Sequence, residues 1–184
     1  MTYEIDIAGL KRELPLCKVN DELYIGAFVM FGDVELTVHC AAELLKLAPE
    51  YDYIIAPEAK AIPLLYEMAR QSGANKYFLA RKSSKAYMQN EFEVQVKSIT
   101  TEDIQTLVID GNDAAMLQGK RVLLVDDVIS TGESLRALKI LATKAGATIA
   151  GKMAVLAEGD AQGRDDIITL ANLPLFNADG SVKE

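Results

Sequence analysis

Apolar positions along the chain recur at two spacings, and these divide it into elements. Val34, Val38, Ala41, Leu45 and Ala48 form a stripe of helical period, with Asp33 where a cap belongs and Pro49 at the end. Tyr53 to Ala56 reads as a short buried strand and Pro57 to Lys60 as a turn. A second helix follows from about Ala61 to Arg70, with Pro63 in its first turn and Gly73 at its stop. Lys76 to Ala80 reads as another strand, and the polar run from Arg81 to Asn90 as a long loop. Phe92, Val94 and Val96 then alternate with polar neighbours, and Thr106, Val108 and Asp110 do so less cleanly, which predicts a hairpin or flap. The strongest strand signal is Arg121 to Val125, an apolar run that stops at Asp126 and Asp127. It passes through Ser130, Thr131 and Gly132 into an amphipathic helix whose buried face is Leu135, Leu138, Ala142 and Ala145, ended by Gly146. A further strand runs from about Thr148 to Leu156.

Strands alternating with helices predict an α/β fold with a mainly parallel sheet flanked by helices. With 184 residues and no internal repeat, one domain is expected. In such sheets ligands lie beyond the carboxyl ends of the strands, where the polar segments of this chain fall.

Composition excludes several classes. Half the residues are hydrophobic and a quarter are charged, the balance of a folded protein and not of a disordered one. No apolar run approaches the roughly 20 residues that span a bilayer, and the first residues hold neither a basic region nor an apolar signal stretch, so the expectation is a cytoplasmic protein with no membrane partner. Nineteen Lys and Arg stand against 27 Asp and Glu, a net charge of −8, which disfavours a nucleic-acid partner and requires any anionic ligand to be met by local positive groups. Cys17, Cys40 and His39 are too few for a disulfide framework or a Cys/His zinc site, and all three read as packing residues. Adjacent helical residues point in different directions, so Cys40 and His39 do not read as a nucleophile pair.

The chemistry concentrates between Val125 and Ser134. Two adjacent carboxylates at a strand end repel each other unless vicinal hydroxyls or a hydrated Mg²⁺ meet them. The segment after them supplies backbone N–H groups, hydroxyls and a helix N-terminus, together an anion site suited to a phosphate monoester. A lone Ser-Thr-Gly would only cap a helix. With the apolar strand and paired acids in front, the whole suits a sugar phosphate, diol on the acids and phosphate on the loop.

At this point Val122 to Gly132 resembles the phosphoribosyl-diphosphate signature of the type I phosphoribosyltransferases. Pro57 to Ile62 resembles the family's pyrophosphate loop, Ala80 to Lys85 the entrance to its flexible loop, and Glu158 followed by Gly163 and Arg164 the segment after the last core strand. Order and spacing are similar to the purine branch, meaning the adenine and xanthine enzymes and the purine-repressor effector domain. The likeness runs from about residue 50 to 165, and Leu23 to Val29 lies where that branch builds a hood over the base. The resemblance thus implies one phosphoribosyltransferase domain over 1–184, with a small hood (mainly 1–48 with 158–184), a core (49–157) and a flexible flap.

By resemblance, Asp126 and Asp127 hold the ribose hydroxyls, directly or through Mg²⁺ and water, while Ser130, Thr131, Gly132, Glu133 and Ser134 bind the 5′-phosphate. Relatives often have glycine where this chain has Glu133, so its side chain is expected to turn away. Glu58, Ala59 and Lys60, on a loop that can carry a non-proline cis peptide in the family, face pyrophosphate together with Arg81, Lys82 and Lys85. Asp127, Lys60 and Lys85 are the catalytic candidates. The flap from Glu91 to Leu107 is expected to close and exclude water from an oxocarbenium-like ribosyl centre. Phe28, Val29 and Glu158 are the base candidates.

The implied reaction is transfer of 5-phosphoribose from its diphosphate to a purine, with Mg²⁺ as cofactor and a homodimer as the family's usual assembly. Adenine enzymes usually carry a Glu-Tyr pair in the flap, where this chain reads Val96, Lys97 and Ser98; xanthine enzymes place a lysine directly after the glutamate that Glu158 matches, where this chain has Gly159. Hypoxanthine and guanine enzymes usually place an acid where Ser130 stands. Adenine is the expected base, with xanthine or another 6-oxopurine as the alternative. A non-catalytic phosphoribosyl-diphosphate sensor is the alternative of another class, although too few residues precede the hood to hold a winged helix.

Overall fold

The computed structural model of the chain describes residues 1–97 and 104–183. It opens with β1 (Thr2–Ile7), β2 (Leu10–Lys18) and β3 (Tyr24–Gly26), followed by α1 (Val34–Leu47), β4 (Tyr53–Pro57), α2 (Ile62–Ser72) and β5 (Phe78–Ala80). A hairpin of β6 (Phe92–Lys97) and β7 (Ile104–Ile109) leads to a short α3 (Gly111–Leu117), then β8 (Arg121–Ile129), α4 (Glu133–Lys144) and β9 (Thr148–Glu158). Next come β10 (Ile168–Leu173) and β11 (Leu175–Phe176).

Five strands form the central sheet in the order β10-β9-β8-β4-β5, and every neighbouring pair is parallel. Strand β8 shows why it holds the middle. Val122 and Leu124 pack on one face with the hairpin and α4, while Leu123 and Val125 pack on the other with α1, α2 and the N-terminal strands. Both faces are covered, so the sequence is a continuous apolar run and not an alternating one. From β4 the chain crosses through α2 to β5 on one side; from β8 it crosses through α4 to β9 on the other. The crevice where the winding reverses lies between the carboxyl ends of β4 and β8, the place where an α/β sheet offers a ligand site.

A second, antiparallel sheet in the order β1-β2-β3-β11 forms the hood. Its Ile5, Ile7 and Leu14, with Phe28 beyond β3, are buried in the same apolar cluster as α1 and α2, so hood and core share packing.

Several elements differ from the sequence reading. Asp33 does cap α1, accepting from the Leu36 N–H at 3.0 Å, but the buried face is Leu36, Thr37, Cys40, Ala41 and Leu44. Val34 and Val38 are exposed instead. Arg12 on β2 grips Asp33 at 2.7 Å and sets which side of the helix start faces the hood. Strand β8 continues past Val125 through both acids to Ile129, because Asp126 and Val128 still pair with Ala154 and Leu156 of β9. Cys17 is exposed on the hood, where period-2 alternation turns it outward, whereas Cys40 is buried as expected. His39 is half-buried with Nε2 2.7 Å from the Ala8 carbonyl oxygen. Among the described residues no helix is long and apolar enough to cross a membrane.

Candidate active site

Three cavities meet at the crevice. The largest, about 540 Å³, is walled by the segment after β4 (Glu58, Ala59, Lys60), by Lys82, by Ile104 to Leu107 of the flap, and by Asp126, Asp127 and Ser134. A small one of about 40 Å³ lies within the turn from Ser130 to Ser134 and shares Asp126, Val128 and Ser134 with the first. A third, about 280 Å³, lies under the hood between Gly26 to Val29, Ser130, Glu158 and Leu173, and shares Lys60 and Val128 with the first.

The acids sit at the centre because the strand carries them there. Asp126 and Asp127 are the two buried aspartates of the chain's described core. One oxygen of Asp126 accepts from the Asp127 N–H at 2.9 Å. The Asp127 Oδ2 makes no hydrogen bond, although the Lys60 Nζ stands 3.2 Å away as an ion-pair partner with half its side chain exposed. Distance without hydrogen-bond alignment leaves that oxygen with unused capacity in a dry place, where an unpaired polar atom is costly. Burial, and after it the neighbouring charge of Asp127, pushes the Asp126 carboxyl well above the usual range.

The loop after β4 is braced by Glu58. Its carboxylate accepts from Arg81 Nε and from the Lys82 N–H, both at 2.6 Å, while its own N–H donates to the Ala80 carbonyl. Burial pulls the Glu58 carboxyl up, but the Lys82 N–H and the Arg81 guanidinium outweigh it and hold the group below its ordinary value. Arg81 also donates to the Tyr87 hydroxyl at 2.7 Å, and its backbone bridges to Val108 beside the flap. The Glu58–Ala59 peptide is cis.

In the turn after β8, Gly132 takes the left-handed conformation at φ +78 and forms the N-cap of α4. That puts the N–H groups of the helix start around the small cavity, with the hydroxyls of Ser130, Thr131 and Ser134 on the same turn. Glu133 begins the helix itself.

The structure therefore brings together Asp126, Asp127, Lys60, Ala59, Lys82 and the turn from Ser130 to Ser134. Arg81 lies one layer back, held on Glu58, and does not line the three cavities. Lys85 lies outside them too, its Nζ donating to the Ser83 hydroxyl at 2.7 Å. Under the hood, Phe28 is buried, Val29 is half-exposed, and Glu158 is raised above its ordinary pKa by burial against the opposing pull of Lys60. Val96 and Lys97 belong to β6, while Ser98 and the rest of 98–103 lie outside the described residues. Sequence reasoning missed Gln105 and Thr106, which the flap brings into the largest cavity. It also missed the proximity of Arg164 to Gly132: a Cβ there would lie 2.8 Å from the guanidinium. Alternation along β7 was the only sequence signal for the first pair.

Among the described residues no cluster of three or more His, Cys, Asp or Glu could hold a metal by itself. Two carboxylates that leave the remaining positions to water and substrate oxygens are the donor set Mg²⁺ commonly takes, and the unused Asp127 oxygen fits that role.

The family model described as "Phosphoribosyl transferase domain" matches residues 39–176. An adenine phosphoribosyltransferase of Corynebacterium jeikeium is 42% identical over 74 residues, which are 40% of this chain and 34% of that protein. A hypoxanthine/guanine phosphoribosyltransferase of Methanohalophilus mahii is 32% identical over 111 residues, 60% of this chain and 54% of that protein. The chain thus spans between a third and just over half the length of these two relatives. Among solved structures, adenine phosphoribosyltransferase from Thermoanaerobacter pseudethanolicus superposes with a TM-score of 0.64 at 22% identity, covering 94% of this chain and 95% of that one, a likeness of fold.

Proposed function

The chain belongs to the phosphoribosyl transferase family, in the purine branch of the type I fold, and from that premise we propose that it transfers 5-phosphoribose from its diphosphate to a purine base. The observation that carries this is the joining of the three cavities around Lys60, Asp126, Asp127 and Val128. One compartment suits a phosphate monoester, one a diol with a diphosphate, and one a flat base. In the reaction the bond from ribose C1 to a pyrophosphate oxygen breaks, and one from C1 to a ring nitrogen of the base forms. The base gives up the proton on that nitrogen, and pyrophosphate leaves.

The residues contribute mainly by position and charge. The turn from Ser130 to Ser134 anchors the 5′-phosphate, and Asp126 and Asp127 accept from the ribose hydroxyls, which fixes C1 between the other two compartments. Lys60 stands where base and diphosphate compartments meet, so its charge is placed to favour the departing pyrophosphate. Lys82, whose backbone N–H donates to Glu58 on the same loop as Lys60, lines the largest cavity as well. The flap strand β7 closes one side and limits water. Mg²⁺, held on Asp126 and Asp127 through water or directly, would neutralise diphosphate charge when bound.

Adenine is the proposed base. The third cavity offers a half-buried carboxylate, Glu158, as an acceptor for an exocyclic amino group, and the residue after it is Gly159 and not a lysine. Lys60, which lines the same cavity, supports a second reading, because an ammonium there can donate to the oxo group of a 6-oxopurine. A homodimer is proposed as well, through the exposed apolar face of Phe31, Val34, Val38 and Tyr66 beside α1 and α2.

A Mg²⁺-dependent assay with phosphoribosyl diphosphate and each of adenine, xanthine, hypoxanthine and guanine, reading nucleotide by chromatography, tests the proposal. Adenine alone, or adenine well ahead, is the expected product pattern. Preference for an oxopurine would replace the adenine assignment, and no nucleotide from any base, with phosphoribosyl diphosphate still bound, would favour a sensor.

A further inference from the structure

Strand β7 carries Gln105 to the largest cavity, which Asp126 and Asp127 of β8 also line, in register with Val96 of β6. Its side-chain oxygen is the acceptor for the Ser134 hydroxyl at 3.5 Å, the outer limit of a hydrogen bond. Ser134 in turn borders both the largest cavity and the small one inside the phosphate-binding turn. Gln105 therefore stands at the junction of two compartments with an amide that can both donate and accept, half-buried and tied to the turn by one long bond.

We propose that Gln105 is a substrate-binding residue for the sugar-phosphate end of phosphoribosyl diphosphate. When the turn is filled, the Ser134 hydroxyl donates to the phosphate, and the Gln105 amide N–H donates to the same group or to its bridging oxygen. The flap is thereby held down by the 5′-phosphate and not only by the diphosphate. This rests on the phosphoribosyltransferase reading of the site and adds to it the residue through which the flap senses an occupied phosphate turn. In the exchange the Gln105 oxygen gives up its long bond from the Ser134 hydroxyl, and the Gln105 N–H gains an ionised acceptor, which makes the stronger bond.

The test uses the whole chain and three probes, ribose 5-phosphate, pyrophosphate and phosphoribosyl diphosphate, titrated by calorimetry into wild type, Gln105→Ala and Gln105→Glu. Gln105→Glu keeps the shape and sets a carboxylate against the phosphate. The expected result is a loss of about fivefold in affinity for ribose 5-phosphate with Gln105→Ala, and more than about tenfold with Gln105→Glu. Phosphoribosyl diphosphate should follow the same order, and pyrophosphate alone should bind as to wild type. Equal ribose 5-phosphate affinity in all three proteins overturns the assignment while leaving the family reading in place. Loss confined to pyrophosphate overturns it in favour of a diphosphate contact. Failure of wild type to bind phosphoribosyl diphosphate at all removes the sugar-phosphate site itself. Unchanged thermal midpoints in both variants separate loss of a ligand contact from loss of a flap contact.

Discussion

Replacing Gly132 by alanine perturbs the phosphate turn at its most constrained point. Gly132 has φ +78, and a left-handed conformation costs an L-residue about 1–2 kcal/mol. The new Cβ would also lie 2.8 Å from the Arg164 guanidinium. That group is the end of a flexible side chain, yet its Nε and other terminal nitrogen are both bonded to Asp166 at 2.9 Å, so moving it weakens a charge-assisted pair at about 0.5–1 kcal/mol more in this partly exposed place. The total is about 1.5–3 kcal/mol, or a drop of about 3–12 °C in Tm for a chain of this size. Calorimetric melting of Gly132→Ala, Arg164→Ala and the double variant separates the two costs. Against the Arg164→Ala background the alanine should still cost about 1–2 kcal/mol, because the backbone strain remains. A Gly132→Ala protein as stable as wild type, or a double variant with no residual cost, would refute the reasoning.

Two further outcomes follow from side-chain environments. The Arg70 guanidinium, then the Gln71 amide, hold the buried Glu67 carboxyl down at about 2. Its unfolded value is about 4.3, so its contribution is present above that pH and is lost as pH falls toward the folded value; Glu67→Gln should therefore melt lower than wild type near neutrality, and the gap should close in acid. A gap that widens on acidification would contradict this. Burial pushes the Cys40 thiol up to about 12, whereas Cys17 is exposed, so a thiol reagent should titrate one cysteine in native buffer and both in denaturant. Cys17→Ser should abolish the native signal, and a native signal that survives it would show Cys40 to be reachable.

The segments legible in the sequence are those whose period and punctuation agree. Helix α4 was readable because Leu135, Leu138 and Ala142 repeat at helical spacing and Gly146 follows, and all three are buried. The paired acids were readable because carboxylates at the end of an apolar strand demand a partner, and the structure sets Lys60 beside one of them. The stripe of α1 misled because its valines are apolar without being inward. The face is chosen by Arg12 on Asp33, a contact across 21 positions that no local pattern contains. Strand β1 does carry a period-2 pattern, Tyr3, Ile5 and Ile7 against Glu4 and Asp6, too short to stand out alone, whereas in β2 the run Lys11, Arg12 and Glu13 breaks the alternation and Pro15 argues against a strand. Arg81 and Lys85 show the same limit at the site. A cluster of cations predicts a positive patch, but Glu58 draws Arg81 into a brace and Ser83 takes Lys85, and neither pairing has a signature in the spacing. Gln105 reaches the cavity only through the hairpin pairing of β6 with β7.

The central claim is that one crevice holds the ribose diol on the buried acids while the neighbouring turn holds the 5′-phosphate. A calorimetric titration of phosphoribosyl diphosphate with Mg²⁺ into wild type and Asp127→Asn tests it most directly, with the melting curve of each protein measured alongside. The account predicts that wild type binds and that the variant binds at least about tenfold more weakly, in keeping with loss of one charge-assisted contact to the ligand, while its fold is kept. Equal binding by the two proteins would contradict the assignment of the acids.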